Sequence, residues 1–213
     1  MITVGERMRP QQMIQPGDPA GNFSLKDQND KTFDLFENMG KRTLLSFHPL
    51  AWTAFCAGQM KSLEDNVDSF SSLNTVAVGI SVDSVPCKKA WAEKLGISKT
   101  PLLCDFWPHG MVAQQYGLFR HANGFSERAN VIVDEKQKVV FVKVYPVHSI
   151  PDIQEVIAFI KILKYHDTAA GSMSVRTRPV CASGGGLSPG KSLPFRRTPQ
   201  NTREQQRPEI HLF

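Results

Sequence analysis

The stretch Arg42-Thr43-Leu44-Leu45-Ser46-Phe47-His48-Pro49-Leu50-Ala51-Trp52-Thr53-Ala54-Phe55-Cys56 decides the architecture. Arg42 to Phe47 is a continuous, largely apolar run, the pattern of a strand covered on both faces and therefore internal to a sheet. Pro49 ends it, because proline donates no hydrogen bond to a ladder. Beyond Cys56, Met60, Leu63, Val67 and Phe70 recur at helical spacing. A buried strand followed directly by an amphipathic helix is the repeating unit of an α/β sheet.

Working outward, the same alternation continues. Thr75 to Val82 predicts a second buried strand, and Pro86 to Leu95 a helix closed by Gly96. Pro101 to Cys104 predicts a short strand, and His109 to Tyr116 a short helix followed by Gly117. Ala129 to Val133 and Val139 to Val144 flank Asp134-Glu135-Lys136-Gln137 as a hairpin. Pro151 to Tyr165 predicts a last helix, with Ile153, Val156, Ile157, Ile160 and Leu163 on one face. Toward the N-terminus, Phe23 to Leu25 and Thr32 to Leu35 predict a hairpin across Asn29-Asp30. The sum is a mixed central sheet with helices on both faces: strands joined through helices run parallel, and the closing hairpin runs antiparallel.

Residues 1–17 read as an extension, 18–167 as the folded domain and 168–213 as a tail. The tail is rich in proline and glycine, has few large apolar residues, and is expected to be disordered. It carries a net +5, the whole of the formal charge of the chain, so the domain is formally neutral. That argues against nucleic acid as a partner of the domain. No apolar run approaches the length of a membrane span, and residues 1–10 lack a signal-like run, so a soluble, cytoplasmic protein is expected. Four cysteines with no C-x-x-C spacing and six scattered histidines support neither a disulfide framework nor a metal site. No metal or cofactor is expected.

Cys56 stands apart from the other cysteines. It falls in the first turn of a helix that follows the C-terminal end of a buried strand, where open α/β sheets place ligands. Unpaired amides and the positive end of the helix dipole both favour a thiolate there. Thr53 can offer a hydroxyl to the sulfur or to an oxygen approaching it, and Pro49 can wall the sulfur from water. Such a pocket suits attack on a small electrophile. Position +3 is Gln59, so a C-x-x-C exchanger is excluded.

The pattern P-x-x-x-T-x-x-C after Phe47-His48-Pro49 resembles the active-site motif of the peroxiredoxins. Ser81-Val82-Asp83-Ser84, Ala90-Trp91-Ala92, Pro101-Leu102-Leu103 with Asp105, and Glu127-Arg128-Ala129-Asn130-Val131-Ile132-Val133-Asp134 resemble further landmarks of that family, in family order from about Asp18 to Tyr165. The resemblance implies a thioredoxin-like fold and a thiol-dependent peroxidase. Cys56 would displace ROH from a hydroperoxide and become a sulfenic acid. Arg128, which begins a strand after the loop Ala122 to Glu127, matches the active-site arginine of the family, and Gln59 stands where a residue that orients the arginine is found. His48 has a counterpart in one-cysteine members, and Trp52 and Phe55 read as pocket wall and core. The alternative for Arg128 is a salt bridge with Glu127.

The resemblance leaves the recycling step open. Lys61 occupies the +5 position of one resolving-cysteine subgroup, which excludes that route. Cys181 and Cys87 are the candidate resolving thiols, and Cys104 reads as packing. Cys181 lacks the flanking proline and aromatic of the resolving motif. A one-cysteine cycle, or one resolved by a partner thiol, is therefore preferred. The expected partners are a peroxide, a thioredoxin-like or low-molecular-weight thiol reductant, and further copies of the chain as a homodimer or larger oligomer. Two other functions share these residues: a peroxide-sensing switch or holdase that uses Cys56 without turnover, and an interaction protein that docks through its basic tail.

Overall fold

The computed structural model describes residues 12–173, with side chains described as far as Tyr165. Cys181 and the expected tail beyond Met173 lie outside the described residues. Among the described residues nine strands and five α-helices follow in order, with one 3-10 turn at Phe36–Asn38: β1 Ser24–Lys26, β2 Thr32–Asp34, β3 Arg42–Phe47, α1 Ala54–Asp65, α2 Val67–Ser72, β4 Thr75–Ser81, α3 Val85–Leu95, β5 Leu102–Cys104, α4 Met111–Gln115, β6 Phe119–Arg120, β7 Phe125–Ser126, β8 Arg128–Val133, β9 Val139–Tyr145 and α5 Ile153–Met173. Seven strands form one sheet in the order β2-β1-β5-β4-β3-β8-β9, and β6 and β7 pair separately.

β3 lies inside the sheet, as its composition demands, with all six residues buried. It runs parallel to β4 and antiparallel to β8, and β4 runs parallel to β5. The mixed sheet thus follows from which connections contain helices. The alternation of side chains along β3 divides the core. Leu45 and Phe47 pack on one face with Val112 and Ala113 of α4 and with Phe23 and Leu25 of the N-terminal hairpin region. Leu44 faces the other way, against Cys56, Met60 and Leu63 of α1, Trp91 and Ala92 of α3, and Val156, Ile157 and Ile160 of α5. Each large aliphatic side chain fully withdrawn from water stabilises the fold by about 1.5 to 3 kcal/mol. Gly79 on β4 is required for close packing, because a Cβ there would run into the Met60 sulfur of α1. Gly96 ends α3 in the left-handed region at φ +71°.

Four expectations need correction. The helical spacing from Met60 to Phe70 is not one helix: the chain breaks at Asn66 between α1 and α2. The last helix continues past Tyr165 to Met173, into the segment assigned to the tail. Ala169 and Ala170 are strong helix formers, which outweighs the surrounding polarity. Ala122 to Glu127 is not simply a loop, since it includes β7, which pairs with β6. The expected helix from His109 shortens to α4, beginning at Met111.

Candidate active site

Cys56 is fully buried in the first turn of α1, just beyond the C-terminal end of β3. As the third residue of the helix, its amide is one of those that lack an intrahelical acceptor. It lines a cavity of about 170 Å³ with Pro49, Leu50, Thr53, Phe55, Phe125, Arg128, Val147 and His148. The walls are mostly apolar, and Arg128 supplies the fixed charge.

Arg128 opens β8 and is buried to 1% exposure. Its guanidinium makes four contacts. Nη2 donates to Cys56 Sγ at 3.4 Å. Nε and Nη2 donate to the Val147 carbonyl at 3.0 and 2.7 Å. Nη1 donates to Gln59 Oε1 in a short hydrogen bond. The salt bridge with Glu127 does not form, because Glu127 pairs with Arg120 at 3.0 Å. All three oxygen contacts come from neutral acceptors, so the sulfur is the one contact able to carry a negative charge.

Gln59 lies one turn beyond Cys56 on α1 and is 1% exposed. Its Nε2 donates to Ser46 Oγ at 2.7 Å and to the Phe47 carbonyl at 3.1 Å. Ser46 Oγ in turn donates to Asn130 Oδ1 at 2.8 Å, across the β3–β8 register pair. With both Nε2 protons directed into the sheet, the amide must turn Oε1 toward Arg128. The sequence pattern points to Gln59 and Arg128 but not to the Ser46–Asn130 pair beneath them, which looks like two ordinary strand residues.

Thr53 is exposed and caps α1 from an extended conformation. Its hydroxyl donates to the Leu50 carbonyl at 3.2 Å rather than to the sulfur. Serving an incoming oxygen requires that single proton to turn away from Leu50. Pro49 is buried and lines the same cavity as Cys56. Phe55 lines the cavity yet is 40% exposed, and Trp52 is 57% exposed outside it, so neither is core. Trp52 adopts a positive φ of 64°. Asp83 steadies that turn: its Oδ2 accepts from the Ala51 amide at 2.9 Å and from Ser81 Oγ at 2.6 Å.

His48 is fully buried, with Nε2 3.2 Å from Lys88 Nζ. Burial, reinforced by Lys88 and Arg128, drives its pKa well below the ordinary histidine range. Lys88 is equally buried, and burial brings its amine down to about 8. Sequence reasoning missed Lys88 because Lys88-Lys89 reads as a solvated helix face. Cys87 is half-buried, with Sγ 3.7 Å from Asp83 Oδ1, and burial raises its thiol. Cys104 is buried on β5, and burial pushes it up to about 11. Among the described residues no group of three or more His, Cys, Asp and Glu is arranged to hold a metal.

The model of the AhpC/TSA family matches residues 16–142, more than half of the chain. The chain belongs to the AhpC/TSA family. This peroxiredoxin is 39% identical over 130 residues to alkyl hydroperoxide reductase E of Mycobacterium tuberculosis, covering 61% of this chain and 84% of that protein. It is 31% identical over 153 residues to thiol peroxidase of Streptococcus agalactiae, covering 70% and 90%. Among solved structures, the reduced 2-Cys peroxiredoxin of Plasmodium vivax superposes with a TM-score of 0.66 at 25% identity, over 73% of this chain and 84% of that one. The fold is therefore the thioredoxin-like one, and the protein is a peroxide-reducing, thiol-dependent oxidoreductase.

Proposed function

We propose that Cys56 is the peroxidatic cysteine and that the protein reduces hydrogen peroxide and organic hydroperoxides through a sulfenic acid. The observation that carries this reading is the Arg128 Nη2 to Cys56 Sγ contact inside the mostly apolar cavity. The thiolate sulfur forms a bond to one peroxide oxygen, the O–O bond breaks, and the other oxygen leaves with the bonding pair and takes a proton. Negative charge moves from sulfur to the departing oxygen, so donors already placed around both lower the barrier. Arg128 and the Cys56 amide are such donors, and Thr53 becomes a third once its hydroxyl turns. The apolar walls formed by Phe55, Phe125 and Val147 favour the organic part of an alkyl hydroperoxide.

Gln59 orients Arg128, and His48 belongs to the support of the loop rather than to the lining of the cavity. The cycle runs on one cysteine of this chain, with the sulfenic acid reduced by an external thiol, either low-molecular-weight or thioredoxin-like. Cys87 and Cys181 are the alternative resolving thiols. The exposed Trp52, Phe106 and Trp107 support self-association as a homodimer or larger assembly.

Intact-mass analysis of the reduced protein after one equivalent of hydroperoxide tests this reading. A gain of one oxygen, mapped to Cys56, is expected. Loss of two hydrogens marks a disulfide, identifies the resolving cysteine by peptide mapping, and replaces the one-cysteine cycle. Cys56→Ser, a nearly isosteric change, is expected to keep the fold and lose all turnover. Turnover retained by that variant refutes the assignment.

A further inference from the structure

Arg128 is held on the sulfur partly by Gln59, a side chain whose two ends are chemically opposite: Oε1 accepts and Nε2 donates. With Oε1 toward Arg128, the amide accepts from Nη1 and gives its own protons to Ser46 Oγ at 2.7 Å and to the Phe47 carbonyl at 3.1 Å. Turned over, Nε2 would meet Nη1 donor to donor, and Oε1 would meet the Phe47 carbonyl acceptor to acceptor. The guanidinium would then keep its bonds of 3.0 and 2.7 Å to the Val147 carbonyl and swing on that single oxygen, away from its 3.4 Å contact with Cys56 Sγ. The sense of one amide thus decides where the charge points.

What sets that sense lies one layer deeper. Ser46 on β3 and Asn130 on β8 are register partners, and they, like Gln59 and Arg128, are no more than 1% exposed, so solvent does not repair a wrong pairing. The Ser46 hydroxyl has one proton. It donates that proton to Asn130 Oδ1 at 2.8 Å, which leaves Oγ an acceptor toward Gln59, able to receive Nε2 and unable to donate to Oε1. Without an acceptor at position 130, the same hydroxyl is free to turn and donate to Oε1, which stabilises the wrong sense. The other end of Asn130 is idle: Nδ2 is buried and without a hydrogen-bond partner among the described residues. A buried strand amide with one end unsatisfied costs stability that an apolar residue would not. Packing gives no reason for an amide there, and the Ser46 proton does.

We propose that Ser46 and Asn130 are positioning residues of the peroxide reaction. Asn130 captures the Ser46 proton, Ser46 thereby holds Nε2, and Gln59 is locked with Oε1 on Arg128 and the guanidinium on Cys56. The proposal rests on the reading of Cys56 given above. The donors in this chain all point consistently: Arg128 donates to the sulfur and to Gln59, Gln59 to Ser46, and Ser46 to Asn130. Reversing any one link frustrates the next, so a residue with no contact to the sulfur governs the donor that has one.

A double-mutant cycle gives a signature that packing alone does not produce. Asn130→Leu is expected to slow Cys56 oxidation about 10-fold or more, the scale of a lost hydrogen bond to a charged group. It is also expected to shift the thiolate absorbance profile to higher pH. Ser46→Ala alone leaves the Phe47 carbonyl to hold Nε2 and is expected to slow the reaction by less than about 3-fold. Added to Asn130→Leu, Ser46→Ala removes the stray hydroxyl, so the double variant is expected to react faster than Asn130→Leu. In a Gln59→Leu background neither change is expected to alter the rate, because no amide remains to be oriented. Thermal melting accompanies every variant, and Asn130→Val, suited to a strand, takes the place of Asn130→Leu should the latter not fold.

A folded Asn130 variant with the parental rate and titration overturns the proposal. So does a double variant no faster than the Asn130 single one, or an effect undiminished in the Gln59→Leu background. The natural protein supplies an arm independent of Cys56 chemistry: through-space NMR contacts from the Gln59 amide protons are expected to Ser46 and Phe47, and contacts to the Arg128 guanidinium in their place overturn the lock. If Cys56 gains no oxygen, the peroxidatic reading fails and takes the kinetic role with it; a reversed amide overturns this proposal alone.

Discussion

Replacing Arg128 by Met removes the cation beside Cys56 while keeping a side chain of similar length. At 3.4 Å from Nη2 to Sγ, the Coulomb attraction is about 5 kcal/mol for an effective dielectric constant of about 20. Part of that attraction is lost again in the ground state, where a less stabilised sulfur spends more time as the neutral thiol. What remains for the transition state is the loss of one preorganised donor, about 3 to 4 kcal/mol, or roughly 10²- to 10³-fold in rate. Stopped-flow measurement of Cys56 oxidation against peroxide concentration gives the second-order constant. Ultraviolet absorbance gives the thiolate fraction at the same pH, and both are expected to fall. The Val147 carbonyl and Gln59 Oε1 lose their donors in this variant, so thermal melting must accompany the kinetics. Arg128→Lys, which keeps the charge but not the planar fork, is expected to recover part of the rate. A folded Arg128→Met protein with the parental constant and thiolate fraction refutes the charge argument.

Thr53→Val is expected to slow peroxide reduction by about 2 to 4 kcal/mol of transition-state stabilisation; an unchanged constant confines the hydroxyl to its bond with Leu50. Gln59→Leu leaves Arg128 Nη1 without its acceptor, and a stability loss of about 1 to 3 kcal/mol by urea titration is expected together with a slower reaction. Glu64 accepts backbone amides from Ser98, Lys99 and Thr100; burial acts to raise its pKa, but these bonds prevail and hold it at about 2, against an ordinary 4.5. Its contribution is therefore present above pH 4.5 and is lost as the pH falls toward 2, so Glu64→Gln is expected to cost about 1 to 2 kcal/mol at neutral pH and progressively less on acidification. A cost independent of pH contradicts this account. Because α5 continues to Met173, a truncation should follow that residue; unchanged melting and thiol-supported turnover are expected, whereas loss of thioredoxin-supported turnover both there and in Cys181→Ser makes Cys181 the resolving residue.

The features legible in the sequence share one property: their cause is local. Leu44 on one face and Leu45 and Phe47 on the other mark a strand covered on both sides, and Arg42–Phe47 is buried along its whole length. Gly96 closes a helix because its own φ permits it. The misread features depend on context. The spacing Met60, Leu63, Val67, Phe70 continues across Asn66 as though the helix did, because periodicity records which face is apolar and not whether the backbone is continuous. β6 and β7, at two residues each, are shorter than any period that reveals a strand. The site follows the same division. Cys56, Thr53, Gln59 and Arg128 are recognisable as a set, but Ser46, Asn130 and Lys88 carry no signal of their own and acquire meaning only from the residues packed on them.

The electrostatics of the site have a common logic. Arg128, the buried cation in contact with Cys56, is hydrogen-bonded otherwise to neutral groups, an amide and a carbonyl. A carboxylate in direct contact with the guanidinium would neutralise it permanently and leave the sulfur little to gain from its charge. Neutral acceptors satisfy the hydrogen-bonding geometry without consuming the charge. The fold thus keeps positive potential for an anion that exists in one redox state of Cys56 and vanishes in the next, which ties the charge of the whole cluster to the oxidation of a single sulfur.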